Sequence, residues 1–263
     1  MKWTPASKLS RGRQRGLSLI ELMVAMVIGC FLILGVTQIF ISNQKSYLFQ
    51  QGQVGNQENG RFALGLLAQE LSKAGYRSNI LKPLAINTTL NGCNFANENV
   101  PVLAVSETTL CIQYQASNRA DVTCQGTALS DSSKNAIATP YGQQNPVITE
   151  KIAFDSAAKA ITCTTGSNTV PLVTGVKDLR FEYGAGDVNE RNIKTYGVSP
   201  AGTVRMVRYS VLMQSPGTSS LLDTADISPA LKEWNTRYST TYSDTKSIYQ
   251  IVQGTFMVRN LML

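Results

Sequence analysis

Five cysteines and one carboxylate at the edge of an apolar run are the residues whose types and spacing could do chemistry in this chain. Cys93, Cys111, Cys124 and Cys163 share one polar region, and four thiols in an oxidising compartment pair into two disulfides. Three connectivities are open. Cys93–Cys111 with Cys124–Cys163 closes two loops of moderate length without crossing and is the arrangement favoured. The same cysteines are a poor zinc site, because no CxxC spacing occurs and there is no histidine. Cys30 lies inside the apolar run and reads as a small apolar helix residue. The absence of histidine also removes the commonest general base. No Ser or Cys stands in a nucleophile setting, and no glycine-rich phosphate loop is present. Asp187, Asn189 and Glu190 could hold calcium, but their spacing does not fit an EF-hand loop and a solvated turn is the better reading. Lys177, Arg180, Arg205 and Arg208 read as the exposed sides of strands. Nothing here supports an enzyme, and no cofactor or metal is expected.

The carboxylate is Glu21. It adjoins Leu22 to Ile41, twenty positions without a charge, about what a helix needs to cross roughly 30 Å of hydrocarbon at ~1.5 Å per residue. An ionisable group inside a membrane helix costs on the order of 3 kcal/mol on insertion scales, so Glu21 implies a partner and a function. Ahead of it lie Lys2, Lys8, Arg11, Arg13 and Arg15 with no acidic residue. That bias holds the N-terminus in the cytoplasm and sends the C-terminus across the membrane as a single pass. The formal charge is +7; five of those charges sit in the leader and +2 remains without it, so no direct nucleic-acid binding is expected. The junction is no secretory cleavage site, because a lone Gly16 precedes the apolar run instead of small residues following it.

Arg15-Gly16-Leu17-Ser18-Leu19-Ile20-Glu21-Leu22-Met23 resembles the class III signal of type IV prepilins and pseudopilins. The resemblance implies that a prepilin peptidase cuts after Gly16 and N-methylates Leu17, a position more often Phe or Met in that family. It also implies that Glu21 pairs with the N-terminal amine of a neighbouring subunit during assembly. Gln57-Glu58-Asn59-Gly60-Arg61-Phe62, Leu67-Ala68-Gln69-Glu70-Leu71 and Ala74-Gly75-Tyr76 resemble the helix of PilW-type minor pilins. Val173 to Gly184 and Met257-Val258-Arg259-Asn260 resemble that family's later strands.

Three regions follow: residues 1–16 as a removable basic leader, 17–76 as one long helix with its transmembrane part at 22–41, and 77–263 as an exported β-rich domain. About 187 residues in the last suffice for one core. No proline falls between Gly16 and Pro83, so the helix continues past the membrane. Ala63, Leu67, Leu71 and Ala74 form an apolar stripe beside Phe62, Leu66 and Glu70. Gln51, Gln53, Asn56, Gln57 and Glu58 should face solvent or neighbours. Gly52, Gly55, Gly60 and Gly65 each weaken a helix by about 1 kcal/mol, which predicts loosening from Lys45 to Gly60. Gly75 is a C-cap that ends the helix between Ala74 and Arg77.

Beyond Pro83 the period becomes two. Leu110, Ile112 and Tyr114 share a face, Ile152 and Phe154 return through Ile161 and Cys163, and Leu179, Phe181 and Tyr183 align, as do Val207, Tyr209, Val211 and Met213. A last strand from Tyr249 to Leu261 is expected to bulge at Gly254. Ser228 before Pro229 signals a short helix inside the loop from Ser215 to Ser247. The fold class is α+β, an antiparallel sheet against one long helix, which the resemblance makes type IV pilin-like. As a minor pilin the chain would help initiate type IV pili and be incorporated into them, serving adhesion, twitching motility or DNA uptake. Its partners would be other major and minor pilins, the prepilin peptidase and the inner-membrane assembly platform. It would reside in the inner membrane with a periplasmic C-terminal domain, then in the extracellular pilus. A J-type minor pseudopilin of a type II secretion system is the alternative, and a signal-anchored periplasmic enzyme or adhesin the reading from a different class.

Overall fold

The computed structural model describes residues 16, 18–90, 92–137, 145–187, 192–215 and 226–261. Helix α1 (Leu19–Lys73) is unbroken, and the chain forms two compact units, Met1–Leu48 and Phe49–Leu263. The second unit therefore begins inside α1, because from Phe49 onward the helix is part of a core. The loosening expected from Lys45 to Gly60 does not occur. Packing overrides propensity there. Gly52 and Gly60 are buried, and a Cβ on Gly60 would come within 2.8 Å of Val252 Cγ1, so the missing side chain lets helix and sheet close up. Asn56, expected to face outward, is also buried, and its Nδ2 donates to Ile248 O at 2.9 Å. Gln51, Gln53, Gln57 and Glu58 are exposed as expected. The stripe of Ala63, Leu67, Leu71 and Ala74 is fully buried. The helix closes one residue before the expected range, with Gly75 at φ +76° donating its N–H to Gln113 O, the left-handed cap that glycine adopts without a Cβ penalty.

Within the second unit the strands make three antiparallel sheets instead of the one expected. A hairpin joins β1 (Asn87–Leu90) to β2 (Cys93–Phe95). A five-stranded meander runs β3 (Val102–Ser106), β4 (Thr109–Gln115), β5 (Val147–Asp155), β6 (Ala160–Thr165) and β7 (Asn168–Thr174). A four-stranded sheet has the order β11 (Tyr249–Met257), β10 (Thr203–Gln214), β8 (Val176–Gly186), β9 (Thr195–Gly197). Two short helices complete the α+β fold, α2 (Asp131–Ala136) and α3 (Pro229–Tyr238).

The period-two residues are the ones that meet in the core. Leu110, Ile112 and Tyr114 of β4, Ile152 of β5, Leu179, Phe181 and Tyr183 of β8, and Val207, Tyr209, Val211 and Met213 of β10 form one buried cluster with the α1 stripe. Each such burial stabilises by about 1.5–3 kcal/mol. The β5–β6 hairpin sets Ile152 opposite Cys163 and Phe154 opposite Ile161. Helix α3 begins where expected, Ser228 accepting the Leu231 N–H, and buries Leu231 and Trp234 against Leu212 and Tyr249.

No bulge interrupts β11. Gly254 stays in register opposite Tyr209, and the Tyr209 ring lies where a Cβ would be, 2.5 Å away. The ring crosses the glycine to bring its hydroxyl to Leu64 O at 3.4 Å. The strand stops at Met257, and a 3₁₀ turn (Arg259–Leu261) replaces its expected last residues. Gly254→Ala should therefore destabilise the β domain by about 1–3 kcal/mol, as overpacking does. A urea titration of the full chain in detergent checks this, and an unchanged midpoint would mean the ring yields freely.

Candidate functional site

Gly16 and Ser18 lead into α1, while residues 1–15 and Leu17, the expected methylation position, lie outside the described residues. Glu21 stands in the first turn of α1, where the helix's N-terminal partial charge favours an anion. It is exposed, and it makes no ion pair or side-chain hydrogen bond among the described residues. From Leu19 to Leu48 every residue is exposed except the half-buried Gly29. Thr37 turns its hydroxyl back onto Ile33 O at 2.7 Å, so it adds no free polar group to this surface. Among the described residues this is the one helix long and apolar enough to cross a membrane. An apolar surface of that length needs lipid or protein around it, and a carboxylate beside it needs a cation.

The β domain holds both disulfides, Cys93–Cys111 with Cα atoms 5.8 Å apart and Cys124–Cys163 at 6.3 Å, and Cys30 is free and exposed. The first ties β2 to β4. The second ties the turn at Cys124 to β6.

Beside the second bridge is a buried polar chamber that sequence reasoning missed. Glu150 on β5 is fully buried, and its Oε1 accepts the Tyr114 hydroxyl at 2.9 Å and the Cys124 N–H at 2.7 Å. Glu70 and Lys73 of α1 face it, paired at 2.7 Å, with the ammonium 5.7 Å from the Tyr114 ring centre. Burial, then the Glu70 charge, pushes the Glu150 carboxyl up to about 7, against the pull of Lys73 and its two hydrogen bonds. Burial first, then Glu150, raises the Tyr114 phenol as well. Near neutrality the chamber thus takes up a proton. In sequence, Glu150 is in phase with Ile152 and Phe154, so the period-two pattern of β5 places it on the inward face.

A second cluster corrects the expectation for the strand cations. Arg205 is buried and donates to Asp187 O at 2.8 Å. Arg180 is largely buried between Glu107 and Asp178, with its Nε and one terminal nitrogen each 3.0 Å from Asp178 Oδ2. The same oxygen accepts Trp234 Nε1–H and the Tyr242 hydroxyl, both at 3.1 Å. Lys177 lies 4.7 Å from the Tyr242 ring centre, and Arg208 stays partly exposed, 3.7 Å from Glu182. Asp178 is two residues from Arg180 on β8, but Glu107 comes from the turn between β3 and β4, Trp234 from α3 and Tyr242 from the loop after it, so the sequence around Arg180 does not reveal the cluster. Asp187 pairs with Lys194 at 2.7 Å. Asn189 and Glu190, the other members of the possible calcium turn, lie outside the described residues. No cluster among the described residues could hold a metal.

Comparison with known proteins bears on the N-terminal segment. Nothing matches among curated proteins. A type IV-like pilin from Thermus thermophilus aligns in structure with a TM-score of 0.38 and 14% identity, over 78% of this chain and 95% of that one. Residues 11–37, which contain Gly16, Leu17 and Glu21 and run into the exposed apolar helix, match the Prokaryotic N-terminal methylation motif.

Proposed function

We propose that this chain is a minor pilin of the PilW type, inserted in the inner membrane with its N-terminus in the cytoplasm and its β domain in the periplasm. Prepilin peptidase cuts it after Gly16 and N-methylates Leu17, and it then helps initiate type IV pili and enters them beside other pilins. The observation that carries this reading is Glu21 at the head of the exposed apolar part of α1, inside the segment that matches the methylation motif. The chain works by packing and charge pairing. The new amine at Leu17, on a neighbouring subunit, is the cation Glu21 requires. At an effective dielectric near 20, opposite charges about 4 Å apart attract by about 4 kcal/mol, comparable with the penalty of holding a carboxylate in hydrocarbon.

Fractionating cells that make the wild type or Glu21→Ala tests this, with intact masses measured on membrane and sheared-pilus fractions. Wild type should begin at a singly methylated Leu17 and reach pili. Glu21→Ala should be inserted and processed equally, with its pilus-associated share down about tenfold or more, since each 1.4 kcal/mol of lost docking energy is tenfold. Wild-type protein retaining Met1 beside an active peptidase, or equal incorporation of the variant, would overturn the reading. Recovery with secretion-system components instead of pili would favour the J-type pseudopilin.

A further inference from the structure

The two larger sheets present four edge strands, and three of them are blunted or closed. β9 is three residues long, β7 carries Pro171 and β3 begins at the buried Val102; short strands and prolines are two of the ways natural sheets guard their edges. β11 is different. It ends its sheet and runs nine residues, Tyr-Gln-Ile-Val-Gln-Gly-Thr-Phe-Met, with no charge and no proline, exposing Gln253, Thr255 and Met257. Ser215 N–H donates to Ile248 O and Val258 N–H to Arg205 O, while Gln214 N–H turns the other way to Gly175 O. Bonding directions alternate along an antiparallel strand, and the register of β10 on β11 is unbroken, so the odd-numbered residues of β10 bond toward β11. Their partners Gln250, Val252, Gly254 and Phe256 spend their N–H and C=O groups on β10. Those of Ile251, Gln253 and Thr255 point outward, and no hydrogen bond meets them among the described residues.

The outer face beside this edge carries a surplus positive charge. Arg208 stands opposite Thr255 in the ladder, so the two side chains share a face. The Arg208 guanidinium lies 3.7 Å from Glu182 Oε2, and Arg237 of α3 lies 3.6 Å from the same oxygen. Their side chains are 43% and 32% exposed, and neither makes a hydrogen bond among the described residues. One carboxylate thus faces two arginines and neutralises only one. Strands in a sheet lie about 4.8 Å apart, so a guest residue opposite Thr255 would be two strands from Arg208 with only the short threonine side chain between. A carboxylate at that position comes within reach of the guanidinium, which pairs with it well, whereas a lysine there meets a like charge. At the other end of the edge, Ile251 is packed against Trp234 and Tyr249, so the guest residue opposite it borders an apolar cluster.

We infer that the β11 edge is a strand-addition site for an extended acidic segment of a partner polypeptide, with Asp or Glu opposite Thr255 and an aliphatic residue opposite Ile251. Main-chain hydrogen bonds to Ile251, Gln253 and Thr255 hold the guest, and Arg208 selects its charge and fixes its register. The surface lies in the β domain, so the inference stands apart from the reading of the N-terminal segment.

The test uses the full chain in detergent micelles and the end-blocked heptapeptide Thr-Glu-Thr-Gln-Thr-Val-Thr, which sets Glu opposite Thr255 and Val opposite Ile251 when it runs antiparallel to β11. Amide exchange is followed by mass spectrometry. Saturating peptide should slow the outward amides of Ile251, Gln253 and Thr255 by about tenfold or more. Lysine in place of the peptide's glutamate should weaken binding about fivefold, the scale of exposed charge pairs. Arg208→Gln should erase that difference without changing exchange elsewhere in the sheet. Thr255→Pro removes one outward N–H and no ladder bond, a change that an open edge tolerates, so it should abolish protection at an unchanged urea midpoint. Equal binding of the two peptides, the same preference in Arg208→Gln, protection that survives Thr255→Pro, protection only at other edges, or none at all would overturn the proposal. So would equal protection by inorganic phosphate at matched ionic strength, which would make Arg208 part of a simple anion site with no strand pairing.

Discussion

Replacing Asp178 by alanine is expected to loosen α3 from the strands it packs on, with a loss of about 3–5 kcal/mol, the range for removing one partner of a buried ion pair. Asp178 is buried, and its Oδ2 gathers Arg180, the Trp234 indole and the Tyr242 hydroxyl. Without it the guanidinium keeps only Glu107, which is half exposed, and the indole N–H is stranded beneath α3. Asp178→Asn retains an oxygen for the indole but removes the charge, so its loss should be smaller. Trp234 and Trp3 are the only tryptophans, so emission from a chain lacking residues 1–16 reports this site. A red shift with a lowered urea midpoint is the expected result. An unshifted spectrum and an unchanged midpoint would mean that α3 is held by its apolar contacts to Leu212 and Tyr249 alone.

The second large effect is a dependence on pH centred on Glu150. Its folded carboxyl lies at about 7 against an ordinary value of 4.5, so the folded state holds the proton more tightly than the unfolded chain. The resulting stability is fully present below about pH 4.5 and is lost as pH rises through about 7, a total on the order of 3 kcal/mol. The urea midpoint should accordingly be higher at pH 5 than at pH 8. Asp244, whose carboxyl is held below its ordinary value by bonds to Ser247 and Tyr249 that outweigh its burial, titrates below this window and does not confuse it. Glu150→Gln keeps an oxygen for the Cys124 N–H and removes the charge, so it should flatten the slope and raise the midpoint at pH 8. A wild type that gains stability toward pH 8, or a variant with the same slope, would refute the assignment.

What sequence could and could not reveal follows from the range of the forces involved. The strands β4, β8 and β10, the β5–β6 hairpin and the Ser228 cap of α3 were legible because period two, turn spacing and capping chemistry are local. The division into separate sheets was not, since strand order depends on contacts between residues far apart. Gly254 shows the ambiguity of a lone glycine in a strand, which reads equally as a bulge or as room for a neighbour's ring. Asn56 and Arg205, read as outward-facing, are buried because their partners Ile248 O and Asp187 O lie far along the chain, and the polar partners that bury Glu150 and Asp178 come in part from other elements. At the N-terminal site the reverse held. Gly16, Glu21 and the apolar run lie within one short segment, and its match to the methylation motif follows from their order without any tertiary contact.

One feature of the β domain sets a clock on its making. The last strand closes against the first helix: Val252 packs at Gly60, Asn56 holds Ile248 O from 192 residues away, and Asn260 Nδ2 caps Ala74 O across 186. A chain emerging N-terminus first must wait with the stripe of Ala63, Leu67 and Leu71 incompletely covered until synthesis is all but finished, since long-range contacts are the slow ones to form. For that interval the inward face of the helix keeps a gap where β11 belongs, and a chain truncated before Tyr249 remains there.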